Sequence, residues 1–211
     1  MTMPTRLRPL RFMRRLQHRQ DGVAAVEFAL IAPVLVLLFF GTVELSNLLI
    51  ADSKLRNVAA GLSDLITQKS NALINTNDLN IANLAASQIM MPLPVTGPRL
   101  TVLVTNFRPE STSTSRVVWT RLLVGGAANP QQGTSMGLTT PACSDSSLPA
   151  SLLPKTATSP FNDVVRVTAS YDFEPWFANI FSGTIRLTST NYNMPRYSLV
   201  LNPDPDLSPP C

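Results

Sequence analysis

The sequence predicts an α+β protein, in which an N-terminal transmembrane helix extends outward as a spine helix and packs on an antiparallel sheet of about four strands. Three observations lead to this fold class. A long apolar run lies near the N-terminus, an apolar stripe with helical spacing follows it, and four stretches of alternating apolar and polar residues come later. Such one-sided elements bury their apolar faces by packing against each other.

The apolar run is long enough to cross a bilayer. Residues 28–43 contain no charged side chain, and extension of the run to 23–51 adds only Glu27 and Glu44. About 20 predominantly apolar residues span the hydrocarbon core of a membrane. A buried core helix is the alternative, but such a helix ordinarily keeps a polar stripe. The sequence therefore predicts a transmembrane helix over residues 23–51.

Residues 1–22 form a basic leader in front of this run. They contain six arginines and a single acidic residue, Asp21, whereas the formal net charge of the whole chain is only +4. Positive residues favour the cytoplasmic side of a span, so we expect a cytoplasmic N-terminus and a domain outside the cytoplasm. Beyond the leader there is no dense basic patch, which argues against nucleic-acid binding.

Two export signals share parts of this layout. A secretory signal peptide has a shorter apolar block, followed by a cleavage site with small residues, and no convincing site of that kind follows here. The Arg14-Arg15 pair is typical of twin-arginine signals, but the rest of that motif is missing. Because neither signal pattern is complete, the sequence favours a membrane anchor over a removed signal.

The junction between leader and span has the arrangement of a processing site. Gly22 ends the leader, Val23 begins the apolar segment, and Glu27 is the fifth residue after the glycine. Glycine lets a catalytic site approach the backbone closely. A carboxylate inside an apolar span is costly and marks a functional contact. The alternative for Glu27 is a position near the cytoplasmic interface, where the carboxylate is partly solvated.

Residues 27–33 and 41–45 resemble the TadE-like proteins of the tight-adherence (Flp-type) pilus machinery. Members share an EFAL-x-x-P run and a second glutamate near the outer end of the span, the position of Glu44 in this sequence. The resemblance implies a pilin-like fold and a minor pilin or pseudopilin in the bacterial inner membrane. Phe28 stands where the much shorter major Flp pilins more often carry tyrosine, which favours a minor component.

The resemblance also assigns roles to individual residues. It implies cleavage by a prepilin peptidase between Gly22 and Val23. It implies that Glu27 and Phe28 act in subunit assembly, where Glu27 neutralises the N-terminal amine of a neighbouring subunit. Glu44 becomes a possible partner contact. The implied partners are the prepilin peptidase, other Tad pilus subunits and platform proteins of the inner membrane.

A second function stays open on the residues alone. It is an unprocessed single-pass membrane protein, whose domain outside the cytoplasm serves in binding or in envelope assembly. The sequence contains no catalytic constellation that would favour an enzyme. The only histidine, His18, lies in the leader, and neither a nucleophile elbow nor a P-loop nor a CxxC motif occurs. We therefore expect no enzymatic activity, cofactor, metal site or small-molecule substrate.

Residues 52–200 are predicted to form an α+β domain outside the cytoplasm. An apolar stripe with helical spacing crosses the boundary between span and domain and is built from Leu48, Ala51, Leu55, Val58, Leu62 and Leu65. This spacing favours a packing face for the domain, and a coiled-coil seam is the alternative. The stripe covers too few heptads for a confident coiled-coil assignment.

The remaining elements of the domain follow from local patterns. Residues 75–78 have helix-capping chemistry, and a short helix is predicted over 79–91. Strands are predicted over 100–105, 116–124, 163–173 and 184–192, each with one polar face, which indicates a sheet covered on one side. Residues 125–160 are expected to form a long loop, and the Pro-rich residues 201–211 to form a tail.

The two cysteines, Cys143 and Cys211, are predicted to form a disulfide, because both are expected in an oxidising compartment. A disulfide that closes the loop between residues 143 and 211 would stabilise the domain by about 4 kcal/mol in the chain-entropy model. The alternative is that Cys211 bonds a neighbouring subunit or nothing. Peptide mapping without reductant should find a linked Cys143–Cys211 peptide in monomeric protein. Two alkylatable thiols or a disulfide-linked dimer would contradict the pairing.

Overall fold

The computed structural model describes residues 21–69, 73–96, 99–125, 148–154, 162–175, 183–197, 200 and 202–203. The chain divides into two compact units, Met1–Ser46 and Asn47–Cys211. Several predictions fall outside the described residues. They are the basic leader up to residue 20, most of the long loop and most of the tail, and the pair Cys143 and Cys211.

Helix α1 comprises Asp21–Thr67 and contains Pro33. Its residues up to Ser46 belong to the first unit, and those from Asn47 belong to the second. A proline inside a helix removes one backbone hydrogen bond. Apolar helical segments in membranes tolerate this, because local adjustment satisfies the freed groups.

The second unit combines helices with a four-stranded sheet, as predicted. After α1 its elements are β1 (Leu73–Ile74), α2 (Thr76–Met90), β2 (Leu100–Pro109), β3 (Ser115–Val124), a 3₁₀ turn (Ala150–Leu152), β4 (Val164–Phe173), β5 (Ile185–Asn193) and β6 (Asn202–Pro203). The four long strands are antiparallel in the order β3-β2-β4-β5, while β1 and β6 form a separate parallel pair. The predicted α+β fold class is confirmed.

The predicted apolar stripe of α1 forms one wall of the main core. Ala51, Leu55, Val58 and Leu62 are fully buried there. The last predicted member, Leu65, is 38% exposed, and Ile66 takes the buried position instead. An α-helix has 3.6 residues per turn, so a repeat of seven residues drifts around the helix axis by about 20° per heptad. After two heptads, the residue at the next repeated position therefore no longer faces the core.

The sheet and α2 supply the rest of this core. Alternate residues of β4 point into it as predicted, and they are Val165, Val167, Ala169, Tyr171 and Phe173. Residues of β2 and α2 complete it, including Leu100, Val102, Val104, Leu79, Ala82, Ala86 and Met90. Burial of each large apolar side chain contributes about 1.5–3 kcal/mol relative to exposure.

Helix α2 begins earlier than predicted because its cap lies at Asn75. The Asn75 side chain accepts a hydrogen bond from the backbone N–H of Asp78, and the Asp78 carboxylate accepts one from the backbone N–H of Asn75. This reciprocal pair is a capping box, which satisfies two backbone donors at the helix start. The Lys69 ammonium also pairs with Asp78. The predicted cap chemistry is therefore present, with the helix starting at Thr76.

The expectation of a sheet covered on one side is wrong for β2 and β3. On the face opposite α1, Leu103 and Leu122 are buried. On the same face, Leu148 packs against Phe107 and neighbouring strand residues, so the segment 148–154 covers part of the sheet. The register between β2 and β3 shifts between Asn106 and Phe107, where Val118 of β3 has no partner residue on β2. This β-bulge brings Val117 into the cluster with Phe107 and Leu148, although Trp119 lies in the main core. β2 itself continues to Pro109, four residues beyond the predicted end at residue 105.

A buried polar cluster joins the ends of β2 and β4. The Asp163 carboxylate is fully buried and accepts hydrogen bonds from Arg108 Nε at 2.8 Å, from Arg108 Nη2 at 3.0 Å and from Asn106 Nδ2 at 2.9 Å. The hydrogen bond with Asp163 raises the pKa of Arg108, so the guanidinium group stays charged at neutral pH. A bidentate arginine–carboxylate pair satisfies charges that would otherwise be costly to bury.

Asp163→Asn should reduce the free energy of unfolding by about 3–5 kcal/mol, because it leaves the partly buried Arg108 without its counter-charge. Glu110→Gln is the matched control, since Glu110 pairs with Arg116 at the same end of the sheet and both side chains are about half exposed. Its cost should stay below about 1 kcal/mol. Denaturant titration of the full chain in detergent micelles measures both values. Equal losses in the two variants would contradict the assigned role of Asp163.

Candidate membrane and assembly segment

The first unit presents an apolar helix surface on every side. An 18-residue window of α1 reaches a mean hydropathy of 2.6, and none of that window is buried. The exposed large apolar side chains of the first unit are Val23, Val26, Phe28, Leu30, Ile31, Val34, Leu35, Val36, Leu37, Leu38, Phe39, Phe40, Val43 and Leu45. Soluble proteins rarely expose so large a contiguous apolar surface. This surface indicates membrane anchoring.

Two hydroxyl groups close to the end of the first unit are hydrogen-bonded within the helix. Thr42 Oγ1 donates to the Phe39 carbonyl at 2.7 Å, and Ser46 Oγ donates to the Thr42 carbonyl at 2.8 Å. Such bonds to the preceding turn are the usual solution for hydroxyl groups on helices. The rings of Phe39 and Phe40 meet edge to face, with centroids 5.6 Å apart. The hydroxyls therefore need no other partner in an apolar surrounding.

Gly22 lies in the first turn of α1, in open space. A Cβ atom added there would meet no atom within 4 Å, and the same holds for Gly41 in the same helix. Glycine in a helix interior is less favourable than alanine by about 1 kcal/mol. Neither close packing nor a special backbone conformation in the described residues therefore requires glycine at position 22.

Val23 and Glu27 lie one helical turn apart, so their side chains emerge on the same face of α1. Glu27 is exposed and forms no hydrogen bond or ion pair with the described residues. Phe28 is 67% exposed. The helix thus brings together the predicted cleavage residues and the predicted assembly residues, and it leaves the Glu27 carboxylate and the Phe28 ring accessible. Glu44, in contrast, is partly buried.

Residues 22–61 match a family model described as TadE-like protein. Over this segment, named here the TadE-like segment, the chain is similar to that family. The match confirms the predicted resemblance, covers about a fifth of the chain and includes Gly22, Val23, Glu27, Phe28 and Glu44. No curated protein and no solved structure matches the chain.

The TadE-like segment continues into the second unit, whose charges are largely neutralised by each other. In the described part of that unit, every aspartate and glutamate takes part in an ion pair. The described residues contain no group of three His, Cys, Asp or Glu side chains that could hold a metal ion. Among the described residues, six of the seven ion pairs join different elements of the unit.

Sequence reasoning missed a cleft of about 450 Å³ in the second unit. Its lining consists of Asn47, Pro92, Leu93, Pro94, Arg99, Tyr171, Phe173, Glu174 and Pro175. The Arg99 guanidinium and the Glu174 carboxylate form an ion pair of 2.5 Å across it. Arg99 directly precedes β2 and Glu174 directly follows β4, so the antiparallel pairing of these strands would have predicted their proximity.

Tyr171 closes the inner side of this cleft. Its ring is buried, and its hydroxyl donates to the Pro94 carbonyl at 3.2 Å. Burial raises the pKa of Tyr171 above its ordinary value, and the nearby Arg99 only partly opposes this effect. The hydroxyl therefore remains a hydrogen-bond donor throughout the neutral pH range and holds the segment around Pro94 against β4.

Proposed function

We propose that the protein is a minor pilin or pseudopilin of a Tad (Flp-type) pilus. Residues 23–51 anchor it in the bacterial inner membrane, with the N-terminus in the cytoplasm and the domain of residues 52–200 on the periplasmic or extracellular side. One observation carries the proposal: the TadE-like segment starts at a glycine which the described fold does not require, and up to Ser46 it is a helix that exposes apolar side chains all round.

In this proposal a prepilin peptidase hydrolyses the peptide bond between Gly22 and Val23. Water adds across the bond, the leader of residues 1–22 leaves with a new carboxylate, and Val23 gains a free amine. The absence of a Cβ atom at Gly22 leaves room for a catalytic site beside the scissile bond. The exposed position of Gly22 in α1 supports this role.

The new amine needs a counter-charge when it enters an apolar surrounding, because an unpaired charge there is costly. Glu27 offers an exposed carboxylate one helical turn from Val23. In the assembled pilus this carboxylate neutralises the amine of Val23 or of a neighbouring subunit, and Phe28 packs against that neighbour. Glu44 serves as a further contact to partners.

The partners that follow from this function are the prepilin peptidase, other Tad pilus subunits and platform proteins of the inner membrane. The protein takes part in pilus assembly, adhesion or secretion as a structural component. The alternative function is an unprocessed single-pass membrane protein with a binding or envelope-assembly domain. The mature N-terminus distinguishes the two functions.

Gly22→Leu should block processing and leave a membrane protein that is heavier by the leader of residues 1–22, because the added side chain fills the space beside the scissile bond. Gly41→Leu is the matched control, since it places the same side chain in equally open space of the same helix. It should be processed like the wild type. Mass spectrometry of protein from native membranes measures all three species. A full-length wild type, indistinguishable in processing from Gly22→Leu, would favour the unprocessed alternative.

Glu27→Gln should leave membrane insertion intact, because loss of a charge makes the span more apolar. It should impair incorporation into pili, since the amine of Val23 or of a neighbour loses its counter-charge. Val26→Ala is the control, because Val26 is an exposed neighbour on the same helix. The amount of each variant in sheared pilus fractions measures assembly. Normal incorporation of Glu27→Gln would show that the carboxylate is dispensable.

A further inference from the structure

The cleft of the second unit lies beside the residue at which that unit begins. Asn47 is the first residue of the unit and lines the cleft together with Pro92, Leu93 and Pro94. A helix over the proposed anchor, residues 23–51, is about 43 Å long, which matches the thickness of a bilayer with its headgroup layers, so the last residues of the anchor, from Asn47, lie in the outer headgroup layer. Chain connectivity therefore places this side of the cleft at the outer boundary of the membrane.

Lys54 fixes the end of α2 against the first turns of α1 in the second unit. Its Nζ atom donates to the Met91 carbonyl at 2.7 Å and to the Ile89 carbonyl at 3.1 Å. Carbonyls at the C-terminal end of a helix lack partners within the helix, and a lysine ammonium there satisfies them and complements the helix dipole. This contact holds residues 89–94 beside residues 47–54 of α1 within the second unit.

Apolar side chains project outward around this site. Leu49 and Ile50 of α1 are 61% and 51% exposed, and Met91 at the end of α2 is 58% exposed. Pro92 and Pro94 are exposed next to them. Leu48 and Ala51, on the other side of α1, pack against the core, so the exposed residues are not needed there. Removal of such a group of apolar side chains from water is favourable.

The charges of the cleft suit the headgroup layer of a bilayer. The cleft lining contains one cation, Arg99, and one anion, Glu174, which is a neutral combination. A guanidinium group recognises phosphate through several N–H donors, and a carboxylate attracts the ammonium group of a zwitterionic lipid. The contact should therefore form on zwitterionic phospholipid and require no excess of anionic lipid.

We propose that the membrane-facing surface of the second unit, formed by Leu49, Ile50, Met91 and the loop of residues 92–94, rests on the outer leaflet of the bilayer. The apolar side chains enter the boundary between headgroups and acyl chains, and the Arg99–Glu174 pair lies among the headgroups. This inference depends on the membrane anchoring included in the proposed function. It does not depend on cleavage after Gly22.

The test is photo-cross-linking of the full-length protein in nanodiscs of zwitterionic phospholipid. A benzophenone amino acid replaces Met91 in one variant and Leu84 in the matched control. Leu84 is 65% exposed and lies two turns before Met91, on the same face of α2 and about 10 Å farther along the helix. A third variant carries the probe at Phe39, inside the apolar segment, and reports on the anchor itself.

Mass spectrometry should detect phospholipid adducts at Met91 and at Phe39, and none above background at Leu84. Adducts at Phe39 without adducts at Met91 would overturn the surface contact and leave the anchor intact. Absence of adducts at Phe39 would overturn membrane anchoring, and the contact with it. A covalent protein dimer at Met91 in place of a lipid adduct would assign the surface to a second copy of the chain and overturn the inference.

Discussion

The structure depends on one constraint: a single helix must satisfy two different surroundings along its length. In the first unit, α1 exposes large apolar residues all round, as a helix dissolved in hydrocarbon requires. In the second unit the same helix is one-sided, with Leu55, Val58 and Leu62 buried in the core and Arg56 exposed. The sheet and α2 can form a core only because α1 changes from the first pattern to the second near Asn47.

The second unit has few charges, and it uses them to fix the positions of its elements. Asp163 joins the ends of β2 and β4, and Asp172 pairs with Arg186 on the neighbouring strand. Asp78 takes part in the capping box of α2 and forms an ion pair with Lys69. Most of these pairs are partly exposed, and pairs of this kind contribute little stability each. Asp163 differs because its carboxylate is fully buried. Loss of its charge would remove the counter-charge of the partly buried Arg108 and destabilise the folded state.

The sequence was sufficient for the fold class and for most of the core, because period and polarity are local signals. The helical stripe from Leu48 to Leu62 and the alternation in β4 both predicted the correct faces. Leu65 was misassigned, since an exact seven-residue repeat cannot stay on one face of a straight helix. The Asp163 cluster and the cleft with Arg99 and Glu174 could not be predicted. Each joins residues more than fifty positions apart, and their proximity follows from strand register. Cleavage at Gly22, the role of Glu27 and the cysteine pairing stay predictions, because they concern partners or residues outside the described structure.

The attachments of α1 within the second unit also determine how that unit responds to mechanical tension. Lys54 binds the end of α2, Ser63 accepts a hydrogen bond from Asn191 at 2.6 Å, and the Thr67 carbonyl accepts one from the Arg196 backbone N–H at 3.1 Å. These contacts are spread over about 20 Å of helix, with the apolar stripe between them. A pulling force that enters through Asn47 would load them together in shear, so the helix would have to slide as a whole before the domain came apart.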